Sequence, residues 1–231
     1  MKLLAWDELP DAMKNAAVRP YYDSLRRKRL QLFMKRCFDV VASAFLLILL
    51  SPIFLVLAIA IKFDSPGPVF YRQERVTQYG KRFRIFKFRT MCDLADQMGS
   101  AVTTGGDSRI TRVGAKIRDY RLDEISQLID VLRGTMTFVG TRPEVPRYTE
   151  KYTDEMMATL LLPAGVTSTA SIEFKDEAKM LDSSDNVDKA YVELVLPQKM
   201  SYNLEDVLRV GTLHDLSLLV KTIAAVANNK E

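Results

Sequence analysis

Asp123 and Glu124 are adjacent carboxylates inside the stretch RDYRLDEISQLIDVLRGTMTFVGTRPE, residues 118–144. Leu122, Ile125, Leu128, Ile129 and Leu132 recur around them at helical spacing, which predicts an amphipathic helix with the acidic pair in its first turn. Neighbours on such a helix point about 100° apart, so the two groups are not a close dyad sharing one proton. Different roles are more natural: one attacks or binds metal, and the other orients or moves a proton. A helix N-terminus stabilises carboxylates, and it would stabilise a phosphate too. An aspartate can attack phosphorus. Magnesium prefers carboxylate and phosphate oxygens and would neutralise a diphosphate. Arg142 suits a forked grip on phosphate, and Pro143 beside it limits the entropy lost on binding. Each feature alone has a plain structural explanation. An Asp-Glu pair at a helix start is most often a favourable first-turn charge, and an Arg-Pro turn is usually structural.

The elements that must position these groups are read outward from them. Residues 110–132 carry the helical pattern, and Gly134 is its stop. Met136 to Val139 predicts a short buried strand, Gly140 to Pro146 a rigid turn, and Thr149 to Leu161 another helix. Val187 to Met200 and Leu213 to Val226 predict two last amphipathic helices, whose Leu, Val and Ile are most simply core. Upstream, VFYRQERV and RFRIFKFRTM flank Gln78-Tyr79-Gly80-Lys81 and predict a β-hairpin. The alternation in the second run shifts phase at Phe86, which suggests a bulge and leaves Lys87 and Arg89 on one face. A solvated strand face accounts for most of these charges. Residues 92–110, with Gly105-Gly106, predict a loop, and a polar, acid-rich stretch follows LPAGVTS.

Residues 40–61, VVASAFLLILLSPIFLVLAIAI, are uncharged and long enough to cross a hydrocarbon core of about 30 Å. Ser51-Pro52 falls near the middle and should kink the helix. Arg26, Arg27, Lys28, Arg29, Lys35 and Arg36 precede the run; Lys62, Arg72, Arg75, Lys81 and Arg82 follow it. Basic flanks stay on the cytoplasmic side, and a single span satisfies only one of them. A helix that enters, bends at Ser51-Pro52 and returns satisfies both, while a kinked single span is the plainer alternative. The late apolar run excludes a cleaved signal peptide. The expected division is an N-terminal basic, amphipathic segment 1–36, a re-entrant membrane helix 37–63 and a cytoplasmic catalytic domain 64–231. The expected fold class is α+β, mainly helical, with a small β-hairpin and amphipathic interfacial helices.

Composition agrees with one domain plus a membrane element. The 231 residues are 48% hydrophobic and 27% charged, with a net charge of +4 and a pI near 9.0. A mildly basic balance suits an anionic partner such as phosphate or acidic lipid. Cys37 and Cys92 lack metal-ligand spacing, and His214 is the only histidine, so a Cys/His zinc site is not expected and a reduced, cytoplasm-facing protein is the simplest reading.

Taken in order, the Ser-Pro-broken apolar segment, FRIFKFRTM and RLDEISQLIDVLRGTMTFVGTRP resemble the bacterial sugar transferase family, the small monotopic phosphoglycosyl transferases, over about residues 33–165. The resemblance implies transfer of a sugar 1-phosphate from a UDP-sugar to undecaprenyl phosphate, with release of UMP. Such a step begins capsule, exopolysaccharide, O-antigen or glycoprotein glycan synthesis at the cytoplasmic face of the bacterial inner membrane. It implies Asp123 as the nucleophile that forms a covalent phosphosugar and contacts Mg2+, Glu124 as its assistant, and Arg142 as a phosphate ligand. Lys87 and Arg118 are implied as further functional cations, and residues 40–61 as the re-entrant hairpin in inner-membrane lipid. Self-association and contacts with later pathway glycosyltransferases fit this picture; the sugar, the glycan pathway and the oligomeric state stay open. Thr135, Thr141 and LPAGVTS depart from the family pattern, although Gly165 and Thr167 keep part of it. The extra multi-span N-terminal region of larger relatives is missing, so a minimal catalytic form is expected.

Two rival readings remain at this level. Asp123 could be only a metal ligand, with lipid phosphate attacking directly. Alternatively, the chain is a non-catalytic membrane adaptor that binds anionic lipid, which explains the anchor but not the ordered motifs. Nucleic acid is not an expected partner, since no stacking module accompanies the Arg/Lys and aromatic mixture of residues 82–89.

Overall fold

The computed structural model describes residues 1–95, 107–174 and 187–227. The Gly105-Gly106 loop and the acid-rich stretch at 175–186 lie outside the described residues. The fold is mainly helical. Helix α1 (Arg19–Arg27) leads into α2 (Arg29–Leu49) and α3 (Ser51–Asp64). Strands β1 (Phe70–Val76) and β2 (Arg82–Phe88) follow, then α4 (Arg112–Asp119) and α5 (Leu128–Arg133). Next come β3 (Met136–Val139), α6 (Pro146–Thr149), β4 (Ala164–Thr167) and α7 (Thr169–Glu173). The last helices are α8 (Val187–Ala190), α9 (Leu196–Arg209) and α10 (Thr212–Ala227), with a π-helical turn, Tyr191–Val195, between α8 and α9.

Helices α2 and α3 meet at a 61° bend; no single described helix is long and apolar enough to cross a membrane, and the bent pair meets that requirement by length and composition alone. The break falls where the sequence places it. Pro52 sits in the first turn of α3, and the Ser51 hydroxyl donates back to the Ile48 carbonyl at 2.8 Å. Phe38, Val41, Phe45, Ile48, Leu55, Val56 and Ile59 of this pair are exposed. Yet both ends of the pair are fastened to the same body. Arg36 donates to the Val131 and Leu132 carbonyls at the C-terminus of α5, at 2.6 and 2.9 Å. Buried Asp39 accepts from Thr137 Oγ1 at 2.8 Å and from the Phe138 amide at 3.2 Å on β3. At the far end, Asp64 accepts from the Val113 amide at 3.0 Å, and Arg89 donates to the Ser65 and Pro66 carbonyls.

The hairpin forms as expected, with Phe70 opposite Phe88 and Val76 opposite Arg82. It has no bulge at Phe86: the register runs one to one through all seven pairs. Phe86 can stay on the half-exposed face because the Arg72 guanidinium, its cross-strand partner, lies 3.4 Å from the ring centre. Arg89 is not on a solvated face either, since it is buried against the Ser65-Pro66 carbonyls. A second small sheet was missed by the sequence reading. β3 pairs in parallel with β4, where Gly165 is essential to the approach: a Cβ there would lie 2.1 Å from the Gly140 carbonyl oxygen.

Three expected helices differ in extent. The pattern over residues 110–132 is broken at Arg121, which takes a left-handed φ of 55°, into α4, a 3-10 segment Leu122–Gln127, and α5. The apolar spacing continues across the break because Ile117, Leu122 and Ile125 all pack on one cluster with Phe88. Gly134 stops α5 with a φ of 87°, as its position indicates. Thr149 to Leu161 is not one helix but α6 and a 3-10 segment Met156–Leu161, the second entered through a hydrogen bond from the Met156 amide to Thr153 Oγ1. The Val187–Met200 pattern extends through α9 to Arg209.

Residues 1–36 are not packed apart from the rest of the chain. Leu3, Leu9, Met13, Val18, Tyr22 and Leu25 share a core with Val76, Leu160 to Leu162, Val207 and Val210. In α10, by contrast, the expected core assignment fails for most positions. Leu218 is buried and Thr222 meets Thr167, but Leu213, Leu216, Val220 and Ile223 are exposed. One side of α10 therefore fills the available contact with β4, and the remaining apolar residues face outward.

Asp39→Ala removes an acceptor shared by a buried hydroxyl and a strand amide. It is expected to lower stability by about 2–3 kcal/mol, or about 4–12 °C in Tm, in detergent. Asp39→Asn, which keeps one acceptor, should cost less; equal melting of Asp39→Ala and wild type contradicts the anchoring role.

Candidate active site

The left-handed turn at Arg121 ends α4 and starts the 3-10 segment that carries Asp123 and Glu124. A 3-10 turn spaces successive side chains by about 120°, so the two carboxylates diverge further than on an α-helix. The segment is tied to β2: Ser126 Oγ donates to the Phe86 carbonyl at 3.1 Å, and the Phe86 amide donates to Asp130 at 2.8 Å. β2 thereby brings Lys87 to the dyad.

Glu124 takes two cations. Lys87 Nζ lies 3.0 Å from Glu124 Oε1. Arg142 forks onto the same carboxylate, with Nη1 at 3.2 Å from Oε2 and Nη2 on Oε1. Asp123, half-buried beside it, accepts no hydrogen bond on its carboxylate from any described residue; only its backbone carbonyl is used, by Ser126 Oγ at 3.2 Å. Arg118 lies close enough to Asp123 to favour its charge, while its Nε donates to Thr90 Oγ1 at 2.8 Å.

The electrostatics separate the pair. Burial pushes the Asp123 carboxyl up, and Glu124 adds to this, against Lys87, Arg118 and Arg142. Burial also opposes ionisation of Glu124, but Arg142 and Lys87 outweigh it and hold that carboxyl well below the usual range. The Glu124 carboxylate in turn holds the Arg142 guanidinium above its ordinary value.

A cleft of about 520 Å³ opens beside this group. Glu124, Arg142 and Lys199 lie on its walls, and so do Leu46 and Leu50 at the tip of α2, Phe138 and Phe174. One cleft thus joins a charged end to the bend of the apolar helix pair. The expected residues do not all line it. Asp123, Lys87, Arg118 and Pro143 stand outside its walls, with Asp123 held next to Glu124 by sequence. The Pro143 carbonyl accepts from Arg75 Nη1 at 3.1 Å, so this proline fixes the loop and offers no ligand group of its own. Ser51 and Pro52 act only at the helix break.

Several residues around the site escaped the sequence reading. Arg75, Tyr191 and Lys199 converge on the Pro143-Glu144 peptide from three separate elements. Glu144 follows Pro143 directly and was the one visible signal; nothing in spacing links it to residues 47 and 55 positions later.

The opposite shifts give opposite linkage. Asp123 is raised in the folded state, so ionising it costs stability as pH rises through the window from its unfolded to its folded value. Glu124 is lowered, so it contributes stability above the unfolded glutamate value, and this is lost as pH falls through its folded value. With chelator present, Asp123→Asn is expected to raise Tm at pH 7–8, the gain shrinking below about pH 4. Glu124→Gln should lower Tm, since Lys87 and Arg142 lose their counter-charge. Thermal unfolding across pH checks both, and a lower Tm for Asp123→Asn at pH 7 contradicts the assignment.

The family model described as bacterial sugar transferase matches residues 30–229. The chain is 42% identical over 124 residues to the UDP-N-acetylgalactosamine-undecaprenyl-phosphate N-acetylgalactosaminephosphotransferase of Aeromonas hydrophila, covering 54% of this chain and 29% of that protein. It is 29% identical over 217 residues to the UDP-glucose:undecaprenyl-phosphate glucose-1-phosphate transferase of Escherichia coli (strain K12), covering 92% of this chain and 44% of the relative. A transferase of the same name from Caulobacter vibrioides is 41% identical over 141 residues, 60% of this chain and 53% of its own length. The chain thus spans about a third to a half of these relatives. With its match running from the start of α2 to the C-terminal residues, the chain belongs to the bacterial sugar transferase family.

Proposed function

We propose that the chain transfers a sugar 1-phosphate from a UDP-sugar to undecaprenyl phosphate, releasing UMP, through a covalent intermediate on Asp123. The observation that carries this reading is the asymmetry of the dyad: Glu124 is locked by Lys87 and Arg142, while the adjoining Asp123 carboxylate accepts no hydrogen bond from any described residue. The relatives' names supply the substrate class.

In the first step, an Asp123 oxygen attacks the β-phosphorus of the donor. The bond from that phosphorus to the bridging oxygen breaks, and UMP leaves with the electron pair. In the second step, a phosphate oxygen of the lipid attacks the same phosphorus and Asp123 leaves as carboxylate, so no net proton is consumed. Arg142, one-third exposed at the side chain, shares its charge between Glu124 and the incoming phosphate. Lys87 and Arg118 hold positive charge beside the reacting centre and favour the ionised Asp123.

Magnesium fits these residues. The Asp123 carboxylate accepts no hydrogen bond from any described residue, so its oxygens could serve a hard cation whose other positions go to substrate oxygens and water. When bound, it would neutralise diphosphate charge and stabilise the ionised aspartate.

The same reading places the α2–α3 pair in the cytoplasmic leaflet of a bacterial inner membrane as a re-entrant hairpin. Its exposed apolar surface and the fastening of both ends to one body support this. The division into residues 1–36, 37–63 and 64–231 then describes membrane disposition, although the first and last parts share a core.

In nanodiscs with magnesium, undecaprenyl phosphate and a panel of UDP-sugars, wild type is expected to release UMP. Asp123→Asn should lose about 10⁴-fold or more, and Arg142→Ala about 10²–10³-fold, with folding retained. Isolation of a phosphosugar adduct on Asp123 with donor alone tests the covalent route; lipid-dependent turnover without any adduct favours direct attack, with Asp123 as ligand. Leu30→Cys and Phe63→Cys, both on exposed positions and made with Cys37 and Cys92 replaced by serine, should be labelled by an impermeant maleimide only from the cytoplasmic side. Labelling of either from outside excludes re-entry.

A further inference from the structure

A buried polar cluster behind Arg142 has no part in the steps above. Glu144 is buried, and its backbone carbonyl accepts from the Val76 amide at 2.9 Å, which fixes the peptide to β1. Its side chain faces the C-terminal helices. Tyr191 of the π-helical turn donates its hydroxyl to Glu144 Oε1 at 2.5 Å. Lys199 of α9 lies 2.9 Å from the same hydroxyl and 3.4 Å from Glu144 Oε1. On the other side, Arg75 Nη1 donates to the Pro143 carbonyl at 3.1 Å. The two residues after Arg142 are therefore gripped from β1 and from the C-terminal helices, while the Arg142 side chain reaches into the cleft.

This arrangement is costly unless it does something. A buried carboxylate, phenol and ammonium must each give up water, and an apolar packing of the same volume is often no less stable. What such a cluster supplies is a fixed geometry. The π-helical turn also inserts an extra residue into the α8–α9 path, and such bulges are frequent where a helix must aim a side chain.

We propose that Tyr191 and Lys199, acting through Glu144, are positioning residues for Arg142, so that residues 187–209 form the back wall of the phosphate site. The proposal rests on the reading of Arg142 as a phosphate ligand. A forked contact tolerates little angular error, and Arg142 must hold Glu124 while meeting substrate. Freeing Glu144 lets the Arg142-Pro143-Glu144 segment rotate away from this geometry, weakening phosphate binding without touching Asp123.

The test uses the full chain in nanodiscs, comparing wild type, Tyr191→Phe, Arg142→Ala and the double variant. Tyr191→Phe keeps the ring packed on Tyr148 and removes only the hydroxyl. Its Tm should stay within a few degrees of wild type. Its kcat/KM for the UDP-sugar should fall about 10-fold, carried mainly by KM, and the effect should vanish in the Arg142→Ala background. Lys199→Arg, which keeps the charge, should retain more activity than Lys199→Met. A Tyr191→Phe loss of the same size with and without Arg142 overturns the proposal, as does no loss at all. Hydrogen exchange separates this failure from failure of the functional reading. If wild type releases no UMP with any donor, faster amide exchange over residues 140–146 in Tyr191→Phe still supports the coupling, and unchanged exchange overturns it.

Discussion

The fold depends on a buried carboxylate at the root of an apolar helix. Asp39, at the middle of α2, accepts from a strand hydroxyl and a strand amide of β3. Without that pairing the carboxylate is an uncompensated buried group, and the strand loses acceptors for two donors. Arg36, one turn earlier, caps the C-terminal carbonyls of α5, and Lys35 meets Asp215 of α10 at 2.5 Å. Little more than one turn of α2 thus binds three separate elements, α10, α5 and β3. β3 leads directly into Gly140–Pro146, so the same bond that seats the helix also sets the level of Arg142. The bent helix pair and the Arg142 loop share one rigid connection.

That connection explains the parallel β3–β4 pair. Two parallel strands of four residues are weak by themselves, because the pairing is short and has two open edges. Here β3 is held by Asp39 on one side, and the close approach of Gly140 to Gly165 holds the other. The departure of LPAGVTS from the family pattern leaves this contact intact, since the glycine is kept. Thr141 and Thr135 also find ordinary places. Thr135 Oγ1 donates to the Asp130 carbonyl at 3.1 Å, and the Thr141 carbonyl accepts the Gly165 amide at 2.8 Å. Neither change disturbs the dyad.

The residues of the ion cluster were legible in the sequence, but their bracing was not. Asp123, Glu124, Arg142 and Lys87 could be named because their motifs are local and their residue types specific, and the structure brings three of the four into one ion cluster. Ser51-Pro52 was legible because proline acts on its own backbone. The break at Arg121 was not, because apolar spacing continues through it while a left-handed φ at arginine leaves no compositional mark. The β4 strand and the Tyr191-Lys199-Glu144 cluster were invisible for a different reason: they exist only through partners far away in the chain. The outward apolar face of α10 was misread as core, since periodicity locates a face without saying what covers it.

The broken helix is what differentiates two chemically similar neighbours. On a continuous α-helix, Asp123 and Glu124 would have comparable access to the cations on β2 and the Gly140–Pro146 turn. The turn at Arg121 and the 3-10 segment rotate Glu124 onto Lys87 and Arg142 and leave Asp123 only the through-space charge of Lys87, Arg118 and Arg142. Glu124, neutralised by two cations, is a poor nucleophile and a good support. Asp123 receives only through-space stabilisation, keeps its lone pairs unshared, and pays in a raised proton affinity. A group in that state gains most from an added positive charge, which favours its ionised form. The arrangement thus leaves Asp123 the less stabilised of two adjacent carboxylates, and the difference comes from backbone geometry rather than residue type.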